Sequence, residues 1–511
     1  MKVFNKEETR KIIYTALETA YNSVAHTLGP KGSNVVTMID GKSTVTNDGV
    51  SIIRQLTMDS EYNIPLDIIK QACFNAENKS GDGTTTAIVL TKAIYDEAIK
   101  LVEKNKVNEI VLRDKIFELY KEIENYILER KTPIKNIEDI KGVATVSLGG
   151  NKKIANKIAK AFEMVNMSGK IEYRIDDTSE DIKLEKIDGY IINSDYLGYV
   201  QNYFGEIDNA LIMIYSGSIN NANDIKSLAM AMREENNKRP VILMSNFNQE
   251  ALNIIFQYNN VGTRIIPYSL PSFGIDRESS IMEISYLTKG SILDKNTPFS
   301  EYDFEETSLD ETCGNAKKVI LKNNTIILTD IEEERYNTVL NNLKEKNPDR
   351  YKKIKNGICN ILIGGKTLTE AEETMMRIED AVNSIKLAIK SGIVIGGANL
   401  LYKISTYIDS NKDELYGLNK DEFRNVLCSA LKRPLEIIME TAENKEKVKE
   451  KMKEINYYDN IGFDSNNENF TDLLDARIID PAETVINSLK SAVSIATSLL
   501  TINCIINNKG E

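Results

Sequence analysis

Apolar residues recur at three- and four-residue spacing between positions 9 and 24, where Ile12, Ile13, Ala16, Leu17, Ala20 and Val24 mark one face of a helix. Gly29-Pro30 and Gly32 end that pattern. Two extended pieces follow, 35–39 and 43–46, joined by the hairpin dipeptide Asp40-Gly41 and closed by the polar turn Asn47-Asp48-Gly49. Helical periodicity returns over 84–101 through Ile88, Thr91, Ile94, Tyr95 and Ala98. A further helix carries Ile116, Leu119, Ile123 and Ile127 and stops before Pro133.

The middle of the chain has a different rhythm. Extended apolar runs at 211–215, 241–245, 264–267 and 325–329 alternate with helical stretches at 224–233 and 250–258, which predicts an α/β segment. Beyond residue 368 the pattern is helical again. It closes on a long helix predicted over 482–506, with Val485, Leu489, Ala492, Val493, Ala496, Leu499 and Leu500 inward. A chain of 511 residues has room for about three domains. The fold class is therefore a multidomain α + α/β protein in which helical segments bracket an α/β middle.

Composition narrows the chemistry. Lys+Arg number 64 against 76 Asp+Glu, a net charge of −12 that opposes a nucleic-acid footprint. The single histidine, His26, leaves no room for a His-rich zinc site. Five widely spaced cysteines without C-x-x-C argue against a disulfide framework and for a reducing compartment. The charged amino terminus is unlike a signal peptide, and no apolar run reaches membrane-spanning length, so a cytoplasmic protein with no membrane partner is expected. The mixed-charge run KEKVKEKMKE over 445–454 reads as a solvated helix face.

Gly81-Asp82-Gly83-Thr84-Thr85-Thr86 directly precedes a predicted helix. Glycines let backbone approach a ligand, helix-start amides favour phosphate, and Asp82 is a hard oxygen ligand of the kind magnesium takes. An ordinary Gly-Asp turn capping a helix fits these residues equally well. Two further Gly-rich turns, 27–30 and 392–398, lack the terminal Gly-Lys-Ser/Thr of a Walker loop. Taken with Asp48 and Asp380, the three turns resemble a phosphate pocket built from distant segments. Asp464, Asn466, Glu468 and Asp475 imitate a calcium loop, but Asn469 stands where such a loop needs glycine.

The stretches TLGPKGSNVV (27–36), TVTNDGVSI (44–52), GDGTTTA (81–87), RIEDAV (377–382), IVIGGA (393–398) and IIDPAETV (478–485) occur in one order from end to end. In this the sequence resembles the chaperonins, and more closely the group I, GroEL-like branch. The resemblance implies a helical equatorial domain at 1–132 and 391–511, a small intermediate domain at 133–188 and 358–390, and an inserted α/β apical domain at 189–357. Pro133, Gly189, Gly357 and Gly392 fall at the implied hinges.

It also implies an ATPase that binds ATP and magnesium, with potassium a further candidate ion. Thr27, Leu28, Gly29, Pro30, Gly81, Asp82, Gly83, Thr84, Thr85 and Thr86 would line the phosphates, with Asp82 on the metal. Asp48 and Asp380 would position and activate the attacking water, beside Asn47. Val146 and Ser147 would line the pocket, Gly396, Gly397 and Asp480 would meet the ribose, and Asp464 would stand near the base. Non-native polypeptides would bind an apolar apical surface, matched here by Tyr196, Tyr203, Phe204, Ile225, Leu228, Met232, Leu252, Ile255 and Phe256.

Identical subunits would form a ring. With no room between Tyr215 and Val241 for a built-in lid, closure would call on a co-chaperonin or another route. The departures are Asn47 in place of a lysine, Ala398 for a third glycine, Asp464 for an asparagine, Lys390-Ser391 for an acidic pair, and a chain ending in NNKGE. They motivate an alternative, a ring-forming holdase or scaffold with weakened turnover. An unrelated small-molecule ATP-using enzyme is the second rival.

Overall fold

The computed structural model describes residues 2–507 apart from 40, 81–82, 168, 199–203, 235–238, 272–274, 305–307, 411–421 and 455–457. Two compact units result. The first gathers Met1–Glu163, Tyr173–Leu184 and Ile361–Glu511; the second holds Met164–Glu172 and Glu185–Asn360.

The first unit is built around the carboxy-terminal helix Ala482–Leu500, which packs against helices Thr84–Asn105, Ser60–Ser80 and Glu109–Arg130. The apolar faces read from periodicity meet here. Ile13, Leu17, Ile88, Ile94, Ile116, Ile127, Leu489 and Val493 belong to one buried cluster. Burying such side chains is worth roughly 1.5–3 kcal/mol each against exposure, which is what lets these amphipathic helices order one another.

The last helix ends at Leu500, six residues short of its predicted end. Ile505–Asn507 instead forms a strand antiparallel to Lys2–Phe4, and the Ile505 N–H donates to Thr9 Oγ1 at 3.2 Å. Tertiary pairing outcompetes the helical continuation of an apolar run that periodicity alone cannot tell from a strand. The hairpin Val35–Ile39/Lys42–Thr46 forms in the register that its Gly41 turn implies.

The second unit is a mixed sheet. Strands Gly205–Ile219, Val241–Phe247 and Ile265–Ser269 run parallel, and Gly314–Lys322, Thr325–Thr329 and Tyr190–Asn193 extend the sheet antiparallel. The parallel half needs crossovers, supplied by helices Ala222–Glu234 and Gln249–Asn260. Alternate residues enter two different clusters, Ile212 and Ile214 on one face and Leu211 and Met213 on the other. A sheet buried on both faces explains why these strands read as unbroken apolar runs.

This burial corrects part of the expected polypeptide-binding surface. Ile225, Leu228, Met232 and Ile255 are at most 3% exposed and pack in the core of the second unit. The apolar stripes of the two crossover helices are consumed in holding them to the sheet. Tyr196 packs on the opposite cluster, its ring 5.5 Å from Tyr268, and Leu252 is half-buried. Phe204 and Phe256 are exposed, and with them Met230 and Val261, which periodicity did not single out. Tyr203 lies outside the described residues. No described helix is long and apolar enough to cross a membrane.

Candidate functional site

Segments far apart in sequence meet around one cavity of about 250 Å³ in the first unit. That is just under the roughly 300–1,000 Å³ usual for small-molecule pockets. The turn after the first helix brings Thr27, Leu28, Gly29 and Pro30; Thr27 Oγ1 donates to the Val24 carbonyl at 2.8 Å and fixes that turn. The second wall is the turn carrying Asn47 and Asp48. Asp48 caps helix Gly49–Gln55, accepting from the Val50 N–H at 3.1 Å and the Ser51 N–H at 2.9 Å. A Cβ on Gly49 would stand 2.4 Å from Thr85 Oγ1, so only glycine lets this turn press against the Gly83–Thr86 segment.

Helix Thr84–Asn105 begins at Gly83, whose φ of +97° is left-handed and which offers no side-chain cap. Ser488 Oγ donates to the Gly83 carbonyl at 3.1 Å, and a Cβ at Gly83 would approach that hydroxyl to 2.3 Å. Helix Ala482–Leu500 also starts without a side-chain cap, after Pro481. Among the described residues neither helix start receives a side-chain cap, and both border one space, an arrangement that favours an anion.

Strand pairing sets the third wall. Val394 stands opposite Asp480 in the two-stranded sheet Ile393–Ile395/Ile479–Pro481, and Asp480 Oδ2 accepts from the Gly397 N–H at 3.0 Å. Ala398 follows with φ +64°, a left-handed conformation kept by a residue that has a Cβ. Helix Leu368–Ser391 lends Arg377, Asp380 and Ser384 from one face, and the end of helix Ile137–Ser147 lends Val146 and Ser147. Close by, burial and then the Glu379 carboxylate push the Tyr173 hydroxyl well above its ordinary value of 10.0.

Thus Thr27, Leu28, Gly29, Pro30, Asn47, Asp48, Gly83, Thr84, Thr85, Thr86, Val146, Ser147, Asp380, Gly397 and Asp480 all line this cavity. Gly396 stands just behind the lining, its N–H donating to the Ile478 carbonyl at 2.8 Å. Asp464 does not face the cavity. Its carboxylate accepts from the Asn466 N–H at 2.9 Å and from Asn467 Nδ2 at 2.6 Å, closing its own hairpin, while the next residue, Ser465, joins the lining. The same bonds occupy the carboxylate that a calcium loop would have used. Gly81 and Asp82 lie outside the described residues.

Sequence reasoning did not single out Arg377, Ser384, Thr484 or Ser488. The available signal was the helical spacing of Arg377 and Ser384 from Asp380, and of Thr484 and Ser488 from each other. Three buried polar atoms of the lining, Ser147 Oγ, Thr484 Oγ1 and Arg377 Nε, have no hydrogen-bond partner among the described residues. Such groups cost about 1–3 kcal/mol each when left unsatisfied. They suit a polar, anionic occupant, and the oxygens of a phosphate ester fit this donor set.

The family model described as "TCP-1/cpn60 chaperonin family" matches residues 21–510. Among curated proteins, the chloroplastic chaperonin GroEL of Cyanidium caldarium is 28% identical over 544 residues, covering 100% of this chain and 99% of its own. Among solved structures, the chaperonin gp146 from the bacteriophage EL 2 (Pseudomonas aeruginosa), crystallised in the presence of ATP-BeFx, superposes over the full length of both chains. The TM-score is 0.67 at 18% identity, in each of two crystal forms.

Proposed function

Since the chain belongs to the TCP-1/cpn60 chaperonin family, we propose that it is an ATP-dependent protein-folding chaperonin whose nucleotide site is the cavity of the first unit. The observation that carries this reading is the meeting of Asp48, Asp380 and Asp480 with two helix N-termini and three unsatisfied polar atoms. The phosphates would lie against Gly83–Thr86 and the Thr27–Pro30 turn. The ribose hydroxyls would donate to Asp480. Asp48 and Asp380 would orient the attacking water and take its proton.

Magnesium, held by Asp82 in this reading, would neutralise the phosphate charge. The three-domain division at 1–132 and 391–511, 133–188 and 358–390, and 189–357 belongs to the same proposal, with ATP driving motion about Pro133, Gly189, Gly357 and Gly392. Non-native polypeptides would be held by exposed apolar side chains of the second unit, Phe204, Met230, Phe256 and Val261.

Ring assembly is supported by two exposed apolar faces in the first unit. The hairpin presents Val36, Val45 and Met38, and the terminal sheet presents the pair Val3–Ile506. Each is a sheet of only two strands, marginal by itself and with open edges, and copies that paired through these edges would complete it.

The test is steady-state ATPase together with the mass of the same sample by light scattering. A large assembly with magnesium-dependent turnover is expected. Asp380→Asn should lower turnover by about 10²- to 10⁴-fold while ATP still binds. A large assembly without turnover would instead indicate a holdase or scaffold, and unchanged turnover in Asp380→Asn would remove that residue from the chemistry.

A further inference from the structure

Among the described residues lining the nucleotide cavity, three aspartates face a single cation, Arg377. Arg377 lies one turn before Asp380 on helix Leu368–Ser391, a three-residue spacing that puts both side chains on one face. One end of its guanidinium is fixed: Nη2 donates to Glu373 Oε1, one turn earlier, at 2.8 Å. On the same edge of the fork, Nε is shielded from solvent and has no acceptor among the described residues.

A guanidinium N–H buried without a partner is costly, and more so because the group is charged. Glu373 holds the fork in place without satisfying it. The acceptor that would suit this charged donor best is anionic, reaches into the cavity and tolerates three neighbouring carboxylates. A phosphoryl group accompanied by a divalent cation meets all three conditions, and its oxygens match the planar fork in a bidentate manner. Because Arg377 shares a helix face with Asp380, whatever places Asp380 at the attacking water places Arg377 at the same phosphorus.

We infer that Arg377 donates to the terminal phosphate of ATP and stabilises the charge that gathers on it during hydrolysis. The inference rests on the nucleotide reading above. In the step, water oxygen bonds to the γ-phosphorus as the bond from that phosphorus to the bridging oxygen breaks. ADP leaves with the electron pair, the water proton passes to a carboxylate, and inorganic phosphate remains. Arg377 forms and breaks no covalent bond and keeps its proton. Its N–H groups shorten their hydrogen bonds as negative charge grows on the equatorial oxygens.

The experiment compares the full-length protein with Arg377→Ala and Arg377→Gln. It reads magnesium-dependent kcat and, separately, the affinities for ADP and for a nonhydrolysable ATP analogue. Removal of Arg377 should lower kcat by about 10²- to 10³-fold. ADP affinity should stay within about threefold, while preference for the analogue over ADP falls at least tenfold, as expected when a charge-assisted contact to the third phosphate is lost.

Arg377→Gln preserves length and packing and carries the test if the alanine variant does not fold. Wild-type kcat in Arg377→Gln overturns the inference, as does an equal loss of ADP and analogue binding, which a purely structural arginine would produce. A wild-type chain that binds neither nucleotide overturns both this inference and the reading beneath it. A wild-type chain that hydrolyses ATP at a rate insensitive to Arg377 overturns this inference alone.

Discussion

Helix Ile137–Ser147, which lends Val146 and Ser147 to the cavity, is tied to the turn that leads into the strand bearing Asp480 by an ion pair between Asp139 and Arg477. Asp139 is 1% exposed. It also accepts from the Lys135 N–H at 2.8 Å and stands at the third position of the capping box that starts the helix. Replacing it with asparagine keeps the shape and removes the charge. A hydrogen bond to a charged group contributes about 1.5–3 kcal/mol, and the half-exposed Arg477 side chain places this pair at the lower end, about 1.5–2 kcal/mol. At about 1.36 kcal/mol per decade that is roughly a 10- to 30-fold increase in local opening.

Because a chain of two units need not unfold in one step, the assay is hydrogen exchange of the Ile137–Ser147 amides rather than a global midpoint. Asp139→Asn should speed exchange by that factor in this helix and leave helix Glu109–Arg130 unchanged. Arg477→Ala should do the same, and the double variant should add less than the sum of the two. Fully additive effects, or exchange altered by less than threefold, would refute the assignment of a stabilising pair.

Three further outcomes follow from single positions. Ala398→Gly should stabilise the first unit locally by about 1 kcal/mol, read as slower hydrogen exchange in helix Asn399–Ser410, because the left-handed φ at Ala398 strains a residue with a Cβ and not glycine. Phe256→Ser should weaken capture of an unfolded client with folding intact, whereas Ile255→Ser should unfold the second unit, since one side chain is 41% exposed and its neighbour is buried; equal effects would contradict the burial pattern. Burial works to raise the Glu172 carboxyl, but hydrogen bonds from Lys170 and Lys322 outweigh it and hold it below its ordinary 4.5. Its stabilisation is therefore complete above that value and lost as pH falls through the lower folded value, and Lys322→Met should start acid unfolding of the second unit at higher pH, followed by circular dichroism.

How much of this was legible in the sequence depended on what each signal measures. Periodicity records which residues are withdrawn from water, so it located the helix faces that pack around Leu489 and the strands buried on both faces of the sheet. It does not record what covers a buried face. That is why Ile225 and Leu228, spaced like an interaction stripe, turn out to hold their helix to its own sheet, and why Phe256, next to the buried Ile255 on the other crossover helix, is left outside. The cavity was legible through its glycines and aspartates because close backbone approach and charge restrict residue choice sharply, as the 2.3 Å between a Gly83 Cβ and the Ser488 hydroxyl makes plain.

Arginines and hydroxyls carry no such signature. Arg377, Thr484 and Ser147 are ordinary residues of helices until the structure shows that each has a polar atom buried without a partner among the described residues. Asp464 makes the complementary point. A carboxylate beside a binding region can be wholly engaged by its own turn, and only the direction of its hydrogen bonds distinguishes that use from ligand contact. Motif spacing thus locates a site through the residues that the backbone cannot replace. The groups that discriminate among ligands are found by asking which buried donors and acceptors the protein leaves for something else to satisfy.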